Sequence, residues 1–157
     1  MHTYESKQFL PISLAEAWSY FSDPKNLQAI TPDDMDFQIV SDLSGTKMYE
    51  GQEIEYIVKP ILGIPMKWKT LIKNVVEQEY FTDVQLMGPY KKWEHTHRFE
   101  ELNGGVMMYD QINYELPWGI IGEIAHKLFV RNRIDEIFKY RYLILDKLFV
   151  KETVHAD

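Results

Sequence analysis

Cysteine is absent from the sequence. That excludes disulfides, Cys-ligated zinc and thiol catalysis in one step. Positive charge is scarce: 17 Lys and Arg stand against 24 Asp and Glu, a formal net charge of −7. A phosphate backbone would meet net repulsion, so nucleic acid is not an expected partner, and an anionic membrane surface is disfavoured on the same ground. No apolar run approaches the ~18–20 residues that cross a bilayer, so membrane insertion is not expected either. Met1 to Leu10 alternates polar and apolar residues and lacks the apolar centre of a signal peptide; the expected compartment is the cytoplasm. No repeat, low-complexity run or linker divides the chain, and 1–157 is expected to be one domain.

What is present is a globular composition, 45% hydrophobic and 26% charged, with aromatics at 14%. So many large flat side chains can fill a core or line a cavity. Thr3 to Leu10 reads as a strand closed by Pro11. Ser13 and Glu16 form a capping box ahead of a helix over 14–22, which stops at Asp23-Pro24. A helical turn is expected over 25–29. From 36 to 116 the period changes to two, giving strands near 36–42, 49–59, 65–76, 79–88, 92–101 and 106–116. Turn chemistry separates them at Ser44-Gly45, Leu62 to Pro65, Glu77 to Glu79, Gly88-Pro89 and Asn103 to Gly105. Short connections imply antiparallel hairpins, and residues 120–149, free of Gly and Pro apart from Gly122, read as one long helix. The fold class is α+β.

Successive strand side chains point to opposite faces. In 92–101 the set Lys92, Glu94, Thr96, Arg98 and Glu100 is the wet one, so Trp93, His95, His97 and Phe99 point inward. In 65–76 the set Met66, Trp68, Thr70, Ile72 and Asn74 opposes three lysines, and Tyr56 belongs to the apolar set of 49–59. Hairpin registers that keep charged and apolar faces apart place Asp83 opposite His97, Gln85 opposite His95, Met87 opposite Trp93 and Asn74 opposite Asp83. On the other side of that strand they place Asp110 opposite His97 and Tyr114 opposite Trp93. The inner face is then apolar and crossed by one polar belt of Asn74, Asp83, Gln85, His95, His97 and Asp110. Burying so many polar groups is costly unless each finds a partner or a ligand.

The run Phe81-x-Asp83-x-Gln85-x-x-Gly88-Pro89-Tyr90-x-x-Trp93-x-His95-x-His97-x-Phe99 resembles the SRPBCC superfamily, as do Asp110 and Tyr114-x-x-Pro117 downstream. That superfamily holds the START-related, Bet v 1-like and polyketide cyclase-type domains. The likeness to its small bacterial ligand-binding members extends to Ile30-Thr31-Pro32 and Ile137-Phe138-x-Tyr140-Arg141. The resemblance implies a helix-grip fold: a curved seven-stranded antiparallel sheet around a long C-terminal helix, with an internal cavity between. Function does not follow from that fold, which serves carriers, receptors and enzymes alike.

The chemistry leaves alternatives open. His95-x-His97 with Asp83 or Asp110 has donors for a metal, or forms a hydrogen-bonded belt in which a carboxylate fixes a His tautomer; the belt is the expectation, with neither metal nor cofactor. His97 with Asp83 or Asp110 is the candidate acid–base pair of a cofactor-free cyclase, dehydratase or hydrolase. The first expectation is a binding protein for an apolar or amphipathic small molecule such as a lipid, polyketide or isoprenoid. Its ligand would touch the polar belt and a wall of Tyr56, Trp68, Met87, Trp93 and Tyr114. An interaction domain with a vestigial cavity is the third class, and the oligomeric state is left open. The Pro60–Pro65 segment reads as a lid or as a tight turn. On the long helix, the stripe of Ile120, Ile124 and Leu128 is displaced from that of Ile134, Phe138, Leu145 and Leu148. Either the helix breaks near Val130–Asn132, which is the expectation, or Arg131 faces the cavity.

Overall fold

The computed structural model describes residues 1–43, 47–60 and 62–153, the last four of these by backbone alone. Seven strands make one antiparallel sheet: β1 His2–Leu10, β2 Gln38–Ile39, β3 Glu53–Val58, β4 Met66–Val76, β5 Tyr80–Met87, β6 Lys92–Leu102 and β7 Gly105–Glu115. Their order is β1-β7-β6-β5-β4-β3-β2, a meander from β2 to β7 with β1 returned to the edge beside β7. Helix α1, Leu14–Phe21, begins with the expected capping box: the Ser13 hydroxyl accepts from the Glu16 amide at 3.2 Å, and the Glu16 carboxylate takes the Ser13 amide at 2.8 Å. Short 3₁₀ turns follow at Pro24–Leu27 and Asp33–Met35.

The long C-terminal helix consists of α2 (Gly119–Ala125), a π-helical turn (His126–Val130) and α3 (Arg131–Thr153). The expected break is not there. A π turn admits an extra residue and rotates everything beyond it about the axis, which moves the apolar stripe without ending the helix. Ile120, Ile124 and Leu128 face outward, at 80%, 53% and 59% exposed, while Ile134, Phe138 and Leu145 are buried. Arg131 is exposed and does not face the cavity.

Three apolar clusters fill the concave side of the sheet. One joins α1, the middle of the sheet and the end of α3 through Ala17, Leu10, Phe81, Phe99, Met108, Leu145 and Phe149. A second packs Ile112 and Tyr114 under Val130, Ile134 and Phe138. The third holds Leu43, Ile54, Tyr56 and Ile72 at the far edge. All three send side chains to the wall of one cavity between sheet and α3.

The two outer strands of the meander are shorter than their period suggests. β2 spans two residues and β3 six, because Asp36 takes a left-handed conformation (φ 44) before β2 and Gly51 (φ 86) turns the chain before β3. The expected Ser44-Gly45 turn falls outside the described residues.

Candidate functional site

Geometry of the site follows from the two ladders that flank β6. β6 and β7 pair as the alternation requires: His97 opposite Asp110, His95 opposite Ile112 and Trp93 opposite Tyr114. β5 and β6 are offset by two residues from the expected register, so His95, not His97, faces Asp83, and Phe81 faces His97. A shift of two keeps every side chain on its face. Asp83 still reaches His97, as a diagonal neighbour.

β4 departs further. Its register with β5 slips between Lys69 and Thr70 and again between Lys73 and Val76. At the second slip Asn74 adopts φ 53, a left-handed conformation that Asn tolerates better than most residues. The bulge turns Asn74 out to solvent and brings Val75 in against the core, so Asn74 does not belong to the belt. The first slip sets Met87 opposite Lys69 and leaves it 55% exposed, away from the wall expected for it. Ile72, not Asn74, stands opposite Asp83. Gln85 braces the β5–β6 turn, its Nε2 donating to the Tyr90 carbonyl at 2.7 Å and its Oε1 accepting from the Tyr90 amide. Tyr114 shares a 2.9 Å hydrogen bond with His126 Nε2 and packs against Tyr90 and Trp93; it does not reach the cavity.

What remains of the belt is compact. His95 Nε2 donates to Asp110 Oδ1 at 2.8 Å, and His97 Nε2 donates to Asp83 Oδ1 at 3.1 Å. His97 Nδ1 lies 3.0 Å from the same Asp110 oxygen at an angle too poor for a hydrogen bond, and His95 Nδ1 lies 3.6 Å from Asp83. The two imidazoles are 3.8 Å apart, and His97 is stacked on Phe81 at 4.4 Å. Asp110 is 2% exposed; Asp83, His95 and His97 line the cavity.

Sequence reasoning overlooked the cation that completes this group. Arg141 of α3 is buried, and its Nη1 is 3.7 Å from Asp110 Oδ1. The signal was available: Ile134, Phe138, Arg141 and Leu145 recur at helical spacing on one buried stripe. Arg133 stands at the rim, donating to the Pro60 carbonyl at 3.1 Å and to Asp34 at 2.8 Å. Of the Pro60–Pro65 segment, Pro60 lines the cavity, Ile61 lies outside the described residues, and Leu62 and Ile64 are exposed.

Burial would raise both carboxyls. For Asp110 the hydrogen bond from His95 and the close imidazole of His97 override it and hold the group far below the usual carboxylate range; Asp83 is lowered by its hydrogen bond from His97 and by the charges of His95, His97 and Arg141. The two histidines part company. Burial, together with the charge on His97, lowers His95; on His97 burial is outweighed by Asp110 and Asp83, and its value is raised. The belt thus inclines His97 toward the charged form and its neighbour His95 toward the neutral one.

Asp83, His95 and His97 each offer one ligand atom within 4.8 Å of the others, and so do His2, Glu123 and His126 beneath the π turn. In the belt a metal would have to displace the proton that both carboxylates stabilise on His97.

The cavity has a volume of about 170 Å³. Its apolar wall includes Tyr56, Trp68, Trp93, Ile54, Ile134 and Phe138. Trp68, Tyr90 and Trp93 close one end as a ring cluster, with centroids 4.6–5.6 Å apart.

No protein-family model matches the sequence, and no curated protein matches it in sequence. Solved structures do match its fold. TTHA0849 from Thermus thermophilus superposes with a TM-score of 0.73 at 14% identity, over 96% of this chain and 99% of that one. A START superfamily protein from Mycobacterium smegmatis gives 0.71 at 12%, over 96% and 99%. The di-domain ARO/CYC StfQ from the steffimycin biosynthetic pathway gives 0.68 at 12%, over 97% of this chain and 52% of that one. With seven antiparallel strands curved around a long C-terminal helix, the chain has the helix-grip fold of START and polyketide cyclase-type proteins, the SRPBCC-like fold that its sequence resembles.

Proposed function

We propose that the protein binds a small apolar or amphipathic molecule in the cavity between sheet and α3. The observation that carries this reading is a void of about 170 Å³ whose largely aromatic and aliphatic wall carries a cluster of charged side chains, Asp83, His95, His97 and Arg141, with Asp23, Arg133 and a few uncharged polar residues elsewhere on it. An apolar cavity of ~150 Å³ takes up benzene, so space of this size suits a ring or a short chain. A purely structural core would be filled at crystal-like density and would not place four ionisable groups on a void. The apolar wall would take the ligand's body and the charged group its polar end. Native mass spectrometry of protein purified from its own host tests this: a co-purified small molecule, lost on denaturation, is the expected result. Ligand-free protein that also fails to bind any apolar probe would overturn it.

A second reading, cofactor-free acid–base catalysis, is favoured by the histidine pair. Two titratable groups pushed in opposite directions at one site suit an acid, His97, and a base, His95. Turnover of the co-purified molecule or its precursor, abolished in His97→Gln, would decide for it.

A further inference from the structure

Arg141 is the member of the charged group whose own needs are least met. It is 7% exposed, held on the inward stripe of α3 between Phe138 and Leu145, and it lines the cavity. Its guanidinium carbon lies 4.8 Å over the Phe138 ring. The Asp110 oxygen nearest to it stands at 3.7 Å, beyond hydrogen-bond length, and that oxygen already has His95 Nε2 at 2.8 Å and His97 Nδ1 at 3.0 Å. Its buried Nε has no hydrogen-bond partner among the described residues. A guanidinium carries five N–H donors in a rigid plane and no acceptor, and buried donors are ordinarily met. A group so exacting, buried beside a void and left short of acceptors, is set up to receive one.

We propose that Arg141 anchors the ligand by donating to a neutral hydrogen-bond acceptor, a carbonyl oxygen on an otherwise apolar ring or chain. The proposal rests on the cavity-binding reading and names the class of ligand it takes. Charge decides between a carbonyl and a carboxylate. Asp83 and Asp110 bring two negative charges to the group and Arg141 one positive charge; His97, with a ring nitrogen within 3.1 Å of each carboxylate, is the histidine inclined to carry the second, and His95 the one inclined to stay neutral. With His97 charged and His95 neutral the group is balanced. A bound anion would leave one uncompensated charge in a poorly solvated site, which is costly. A carbonyl satisfies the arginine and leaves the balance intact. A ligand offering only donors would suit Asp83 and leave Arg141 unmet.

Three naphthalenes of nearly the same shape separate these cases: 2-acetylnaphthalene with a neutral acceptor, 2-isopropylnaphthalene with none, and 2-naphthoate with a charge. Calorimetric titration of the full chain, with the indole N–H signals of Trp68 and Trp93 followed by NMR, reports affinity and place. 2-Acetylnaphthalene is expected to bind about tenfold or more tighter than either of the others, the effect of one charge-assisted hydrogen bond. In Arg141→Met its advantage over 2-isopropylnaphthalene should shrink to less than ~threefold, with binding of the isopropyl compound unchanged. A second measurement on the unaltered protein does not depend on how the variant folds. The ¹³C-labelled carbonyl of bound 2-acetylnaphthalene should move downfield, as hydrogen-bonded carbonyls do. Tightest binding of 2-naphthoate, an unshifted carbonyl resonance, or an acetyl preference that survives in Arg141→Met would overturn the proposal. If none of the three binds, the cavity reading fails and this one with it. If all three bind equally, the cavity reading stands and the carbonyl anchor alone is lost.

Discussion

The β6–β7 and β4–β5 hairpins start from the same alternating pattern and treat it differently. β6 and β7 pair without interruption from Lys92–Glu115 to Leu102–Gly105, and every inward residue expected of them is inward. β4 and β5 slip register twice, and each slip turns an expected inward residue out: Asn74 at one, Met87 at the other. A bulge adds an unpaired residue to one strand, bends it and increases its twist. The uninterrupted ladder therefore carries His95, His97 and Asp110, and the bulged one supplies Asp83 and bends the sheet around the space that the group faces. Alternation predicts orientation only as far as the ladder is unbroken.

The largest effect is expected where that unbroken ladder carries charge. His97→Phe removes the partner of Asp83 and a cationic neighbour of Asp110, leaving two buried carboxylates poorly compensated, and should cost ~3–5 kcal/mol in urea unfolding. On the bulged side, Met87→Ala should stay within ~0.5 kcal/mol because the side chain is exposed. Equal losses for the two would erase the contrast.

His97→Gln sharpens it. The amide keeps hydrogen bonding and drops the charge, so stability should fall by only ~1–3 kcal/mol while affinity for an apolar probe with a polar end drops. Full retention of affinity would remove His97 from the site.

The pH response should be flat in one window and steep in another. Asp83 and Asp110 have lowered values in the folded protein, so their contribution is complete above the ordinary carboxylate range, ~4, and drains away as acid carries the pH through those folded values. The raised value of His97 adds stability at acid pH that is lost as pH rises through it. The lowered value of His95 acts in the opposite sense, favouring the unfolded chain below the ordinary histidine value of 6.5. The two histidines offset one another near neutrality, and below pH ~4 the carboxylates dominate. An NMR titration should find His97 deprotonating at higher pH than His95; the reverse order would break the assignment.

The smallest effect is expected at the bulge itself. Asn74 sits at φ 53, where glycine has no steric penalty, so Asn74→Gly should change unfolding free energy by less than ~1 kcal/mol in either direction. A larger loss would mean that the Asn side chain, and not backbone conformation alone, holds the bulge.

Much of the molecule was legible in the residues taken in order. The capping box at Ser13, the period-two strands and the inward set Trp93, His95, His97 and Phe99 are local properties, decided by neighbours within a turn or a strand. The curvature of the sheet was not. Whether a strand bulges depends on how two ladders must bend to cover a helix that arrives some fifty residues later, so Asn74 and Met87 were lost to the site and the Asp83 pairing moved by two. The π turn has the same origin. His126 is drawn in to the Tyr114 hydroxyl and the stripe rotates beyond it, which exposes Arg131 and leaves the inner face to the stripe that holds Arg141. Sequence determined which residues share a strand face wherever the ladder runs unbroken, and which helical stripes are apolar, because those periods are fixed by backbone geometry. Tertiary structure decided which carboxylate meets which histidine and how near Arg141 comes to them, because those contacts depend on long-range packing that no local period records.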